Sequence, residues 1–306
     1  MVAERIIVGV YALDDVLLPR AAAGQGWPLR LADQDPALAP GAKRFDLILE
    51  VTAEGLALAE PAALATASHA AGLRVAIEPV PGRTGLYLVR VGPKPVAVAV
   101  AGSWQSALLP GEVQAEAVAA YVAGTLIDTP DRPRAVETLV VGDVVTTLAN
   151  GSRPLRWVGR RRVSALELLA HPALRPVEFA AGTVGNTRPL VVSPQQRMLI
   201  DDWRAEVYFG EDRVLVAAQA LVDDQAARVV LPAEGVEYVV LLCDRHELLL
   251  AEGALSESFH AGEMGLSGLT AAERAEVEAV IPEAELLRRR AAFPIVRNAE
   301  ARALRL

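Results

Sequence analysis

The sequence contains one cysteine, Cys243, among 306 residues. That excludes an internal disulfide and any cysteine-rich metal site. Cys243 lies in the apolar run Val239-Val240-Leu241-Leu242-Cys243 and reads as a buried, inert thiol. There are only 4 histidines, and no two have metal-ligand spacing; His69, His171 and His260 stand isolated. No metal or cofactor is expected. No run reaches the roughly twenty apolar residues of a membrane-spanning helix; Val96 to Ala101 is only strand length. The start, Met-Val-Ala-Glu-Arg-Ile-Ile-Val, lacks the basic start and long apolar stretch of a secretory signal. The expected location is cytoplasmic, or outside the cell by export without a cleaved signal. Positive charge is also in deficit, with 30 Lys and Arg against 38 Asp and Glu and a net charge of −8. A general nucleic-acid or anionic-membrane binder needs a basic face, so both classes are excluded. Arg160-Arg161-Arg162 is too short to reverse this and reads as the solvated ends of one strand. No glycine-rich loop is present to cradle phosphates.

What is present is a well-packed composition, 52% hydrophobic and 22% charged. Its 23 glycines and 20 prolines are spread out, as many short strands joined by turns require. Residues 1–112 read as a β-rich domain, a small antiparallel sheet or sandwich. Phe45, Leu47, Leu49, Val51 and Ala53 alternate with polar residues, with only Ile48 breaking the period of two. Leu73, Val75 and Ile77 repeat the pattern, Pro81-Gly82 turns the chain into Leu86 to Val91, and Val96, Val98 and Val100 share a face. Residues 20–43, rich in Ala, Gly and Pro, are expected to form loops. Residues 112–120 are expected to form a short connector.

A second β-domain is expected over 118–262. Asn150-Gly151 predicts a two-residue hairpin between Val140–Leu148 and Pro154–Val163. Ser164-Ala165-Leu166-Glu167 predicts a capped short helix ending near Pro172. Strands are expected at 189–192, 197–200, 214–216, 229–231, 236–242 and 248–250. Asp201-Asp202 reads as a solvated turn rather than a cation site. Residues 263–306 read as a helical tail. A capping box, Thr270-Ala271-Ala272-Glu273, opens one helix, and Pro282 starts another through Glu285 to Arg290. The expected class is all-β with this short helical appendage.

Several segments, in order, carry a resemblance. They are Gly124-Thr125-Leu126-Ile127-Asp128-Thr129-Pro130, Val141-Gly142-Asp143-Val144, Arg156-Trp157-Val158-Gly159-Arg160, Val192-Ser193-Pro194-Gln195-Gln196-Arg197 and Asp244-Arg245-His246-Glu247. Together they resemble the Hint (Hedgehog/intein) domain, in particular its bacterial branch, whose members cleave their own chain. The tail from Phe293 to Leu306 is similar to one that follows many such domains. The resemblance implies an N-to-S acyl shift at a cysteine four residues before the glycine of the Gly-Thr pair. It also implies a Ser/Thr-x-x-His motif whose histidine protonates the departing amide nitrogen. Carried onto this chain, the nucleophile position is Ala120, beside Tyr121. The motif is Ser193 with Gln196 at the histidine position. His246 fills the second histidine position, with Asp244 and Glu247 close by.

Alanine has no nucleophilic atom, and a glutamine amide does not titrate near neutral pH. Thr125, Cys243 and His246 as substitutes for the lost chemistry are weaker readings than structural roles. The expected function is therefore a catalytically degenerate Hint domain acting as a structural or interaction module, with a protein partner that the sequence does not identify. The alternative is an autoproteolytic chain that cleaves before residue 120, here inactivated or trapped as a precursor. Natural loss and deliberate Cys-to-Ala and His-to-Gln exchange fit the sequence equally. Ala120, Ser193, Gln196 and His246 are expected to converge in one pocket.

Overall fold

The computed structural model describes residues 5–13, 16–17, 37–38, 41–52, 55–58, 75–80, 86–91, 94–106, 117–281, 290–301 and 304. Most of the expected 20–43 loops, Leu73, His69, the Pro81-Gly82 turn, residues 112–116 and residues 282–289 of the helix expected from Pro282 to Arg290 lie outside the described residues. The fold is mostly β with a few short helices. It divides into two compact units, Met1–Val113 with Ser164–Pro172, and Gln114–Val163 with Ala173–Leu306.

The first unit contains β1 (Arg5–Tyr11), β2 (Val16–Leu17), β3 (Ala37–Leu38), β4 (Phe45–Thr52), β5 (Gly55–Leu58), β6 (Val75–Pro79), β7 (Leu86–Val91) and β8 (Lys94–Ser106). β2 and β3 pair separately, and the rest form one antiparallel sheet ordered β5-β4-β1-β8-β7-β6. Phe45, Leu47 and Leu49 of β4 are buried and Asp46 is exposed, as the alternation requires. β8 departs from its expected single apolar face. Ala97, Val98 and Ala99 are all buried, while Val96 is half-buried. Successive residues of a strand point to opposite faces, so this central strand is covered on both.

The second unit contains β9 (Tyr121–Val122), β10 (Leu126–Ile127), β11 (Arg134–Ala135), β12 (Val144–Thr147), β13 (Gly151–Val163), β14 (Val177–Phe179), β15 (Leu190–Val192), β16 (Arg197–Asp201), β17 (Arg213–Ala217), β18 (Ala227–Val229), β19 (Val236–Cys243), β20 (Leu248–Ala251) and β21 (Ala254–Glu257). The main path runs β17-β16-β21-β20-β12-β13-β19-β9-β15-β14-β18, with β10 joining β11 to β20. Among the described residues the α-helices are α1 (Ala165–Ala170, grouped with the first unit), α2 (Trp203–Phe209), α3 (Glu263–Ser267), α4 (Ala271–Val280) and α5 (Asn298–Ala301). None is long and apolar enough to cross a membrane. Ser164 caps α1 by accepting from the Glu167 N–H, and the Thr270–Glu273 capping box is complete.

Four local readings change. The hairpin after β12 pairs Thr147 with Gly151, so its loop has three residues. Gly151, at φ +65°, supplies the left-handed position that such a loop needs. Asn150 instead donates through Nδ2 to both Glu247 carboxylate oxygens, at 3.0 and 2.9 Å. Arg160–Arg162 lies inside β13, not at its ends. Arg160 Nη2 donates to the Leu139 carbonyl at 2.7 Å, and Arg162 pairs across the ladder with Glu237. Asp202 is the N-cap of an unforeseen helix, accepting from the Arg204 N–H, while Asp201 pairs with Arg213 at 2.8 Å. β18 starts two residues early, because its ladder is set by β14, from Val177 opposite Val229 to Phe179 opposite Ala227.

Two quoted segments acquire physical reasons. In Arg156-Trp157-Val158-Gly159-Arg160, the Trp157 ring lies over Gly159, and any Cβ there would collide with it. In Val141-Gly142-Asp143-Val144, Asp143 Oδ2 accepts from the Val140 N–H at 2.9 Å and pairs with Arg134 at 3.1 Å. The backbone bond first, then Arg134, hold the Asp143 carboxyl below its ordinary range. A carboxyl lowered by folding stabilises at neutral pH and loses that contribution as pH falls through its folded value. Asp143→Asn should therefore lower the Tm near pH 7, and the deficit should shrink as pH falls below about 4. Thermal unfolding across that window checks this; a deficit independent of pH would contradict it.

Candidate functional site

Short strands bring distant segments to residue 120. Tyr121 of β9 lies between Val192 of β15 and Val239 of β19. This ladder sets Ala120 beside Ser193, the residue that follows β15. The Ala120 N–H donates to Ser193 Oγ at 3.0 Å, and the Ser193 N–H donates to the Ala120 carbonyl at 2.9 Å. Both residues are buried. Position 120 is thus fixed through its own main chain on both sides.

Gln196 and His246 meet at Glu257, the last residue of β21. Gln196 Nε2 donates to the Glu257 carbonyl at 2.7 Å, and the Tyr121 hydroxyl donates to the same oxygen at 2.9 Å. The Glu257 carboxylate accepts from Arg197 Nη1 at 3.0 Å and from the Arg197 N–H at 3.1 Å. It also faces His246 Nε2 at 3.0 Å. The Ala292 N–H donates to the other ring nitrogen, His246 Nδ1, at 2.9 Å. A donor at Nδ1 and a carboxylate at Nε2 define one neutral tautomer, protonated at Nε2. The side chains of His246 and Glu257 are both fully buried. Asp244, half-buried, opens the turn two residues before His246.

The Hint domain family model matches residues 119–263. Residues 119–263 of this chain are a Hint domain. Among solved structures, the solution structure of a bacterial intein-like domain from Clostridium thermocellum is similar at 14% identity and a TM-score of 0.33, covering 46% of this chain and 99% of that one. The comparison with curated proteins gives no match.

Within this Hint domain the four expected positions form two linked pairs. A cavity of about 30 Å³ beside Ala120 is lined by Ala120 and Ser193 but not by Gln196 or His246. Gln196 is drawn to the Glu257 carbonyl and His246 to the Glu257 carboxylate. The amide nitrogen of residue 120, which would depart in an acyl shift, therefore faces a serine hydroxyl and not a titrating group. Burial above all, with the Glu257 charge adding to it, pushes the Tyr121 phenol far above its ordinary range and keeps it protonated. Cys243 is buried in β19, and Thr125 is buried in the turn before β10. Among the described residues, no group of three or more His, Cys, Asp or Glu is placed to hold a metal ion.

Sequence reasoning missed Glu257 and its partner Arg197. The available signal was a pair of opposite charges, one opening β16 and one closing β21, because charges next to apolar strands avoid burial unless paired.

Proposed function

We propose that this Hint domain does not cleave its own chain and serves as a structural or interaction module that keeps residues before and after position 120 in one polypeptide. The observation that carries this reading is Ala120 itself. Its side chain has no atom to attack the carbonyl of residue 119, and its N–H is held by Ser193 Oγ at 3.0 Å. The histidine that should protonate that nitrogen is Gln196, whose amide bonds main chain elsewhere. His246 does not substitute, because both of its ring nitrogens are engaged. Attack and leaving-group protonation belong to one catalytic unit, so losing either removes most of the rate.

A second reading is favoured by the Ala120–Ser193 grip and the cavity beside it. In that reading the active form cleaves before residue 120, and this sequence is its inactivated or trapped version. Prolonged incubation with dithiothreitol separates cleavage from its absence, since a thiol captures any thioester formed at residue 119. One unbroken chain is the expected result. A fragment ending at residue 119 would show that another group has taken over the attack.

A further inference from the structure

The family match ends at residue 263, yet the chain beyond it touches the site at two separate places. The first is the turn between α3 and α4. Gly268, Leu269 and Glu273 line the cavity beside Ala120, opposite Ala117, Val118 and Ser193. The approach is close: a Cβ at Gly268 would lie 3.0 Å from Val118 Cγ2 and 3.7 Å from the Ala117 carbonyl oxygen. The turn is anchored. Thr270 and Glu273 close a capping box, Trp157 Nε1 donates to Glu276 at 2.8 Å, and Val277 of α4 is fully buried. The second place is His246, where the Ala292 N–H occupies Nδ1. Residues 294–296 are stitched to β17. The Leu215 N–H donates to the Pro294 carbonyl at 2.8 Å, and the Val296 N–H donates to the Leu215 carbonyl at 3.0 Å. Phe293 packs on Leu199, Leu215 and Leu248.

We propose that two segments after residue 263 form a built-in cover over the junction at residue 120: the α3–α4 turn limits access to residue 120 from the cavity side, and residues 292–296 immobilise His246. This deepens the reading of an uncleaved Hint junction and rests on it. The turn forms one wall of this cavity of about 30 Å³.

The test introduces a reporter thiol by Ala120→Cys in the full chain and follows its modification by N-ethylmaleimide with peptide mapping. Cys243, buried in the core, is the internal reference. A thiol under the cover should react only through local opening, within about tenfold of Cys243. Two further changes act on the cover alone. Gly268→Leu drives a side chain against Val118, and Leu269→Ala removes part of the cavity wall. Either should raise labelling at position 120 by about 10²-fold while Cys243 stays slow. The backbone at Gly268 has φ −80°, so the larger residue adds no conformational strain of its own. Labelling of the Ala120→Cys chain at the rate of an exposed thiol would overturn the proposal. So would folded cover variants that leave position 120 unchanged or speed both thiols together. Cleavage is read separately as loss of intact mass in the unaltered chain, so failure of the uncleaved reading is not confused with failure of the cover.

Discussion

Ala120→Cys combined with Gln196→His should yield a chain that splits before residue 120 on thiol treatment, while Ala120→Cys alone yields weak cleavage or none. The cysteine supplies attack on the carbonyl of residue 119. The departing nitrogen must still gain a proton, and general acid catalysis typically contributes about 10²- to 10⁴-fold. The geometry favours recovery: Ser193 already bonds both main-chain groups of residue 120, and the adjoining cavity of about 30 Å³ leaves room for a sulfur atom. A histidine at 196 would also release the amide that now bonds the Glu257 carbonyl. Mass spectrometry after dithiothreitol treatment reads the outcome. If the double variant folds and stays intact, the site has diverged beyond these two positions, and the structural-module reading gains over the trapped-precursor reading.

Glu257→Ala should be the most destabilising single change near the site. The carboxylate is fully buried, and it holds Arg197, whose side chain is 18% exposed, together with buried His246. Removing one partner of a buried ion pair leaves the other charge uncompensated, which typically costs about 3–5 kcal/mol. His246 would also lose the acceptor for its Nε2 proton. Glu257→Gln retains the volume and should cost less, since one amide oxygen still accepts. Urea unfolding of the two variants measures both. A loss below about 1 kcal/mol for Glu257→Ala would show that the network does not carry the fold here.

The legible parts of this fold are those with enough residues to show a period or an unbroken apolar run. β4 announced itself by alternation, and β16, β17, β19 and β20 by Val, Ile and Leu runs, each within one residue of its ends. β9, β10, β11 and β14 have two or three residues, too few for any period, and exist because neighbouring strands complete their ladders. Of the site, positions 120, 193, 196 and 246 were reached through resemblance, and their residue types already said that nucleophile and acid were missing. Glu257 was not reachable that way. Its meaning depends on Arg197, 60 residues away, and on His246, which the main chain of Ala292 fixes in turn. Side-chain patterns do not encode a backbone donor. For the same reason the C-terminal residues read as an appendage, although they form part of the wall around residue 120.

The central claim is that the bond between Ala119 and Ala120 persists. The most direct measurement is peptide mapping of the unaltered protein isolated from the cells that make it, searching for the peptide that spans this bond and for one beginning at Ala120. The expected result is the spanning peptide throughout and no peptide beginning at Ala120. A peptide beginning at Ala120, with the matching fragment ending at residue 119, would contradict it.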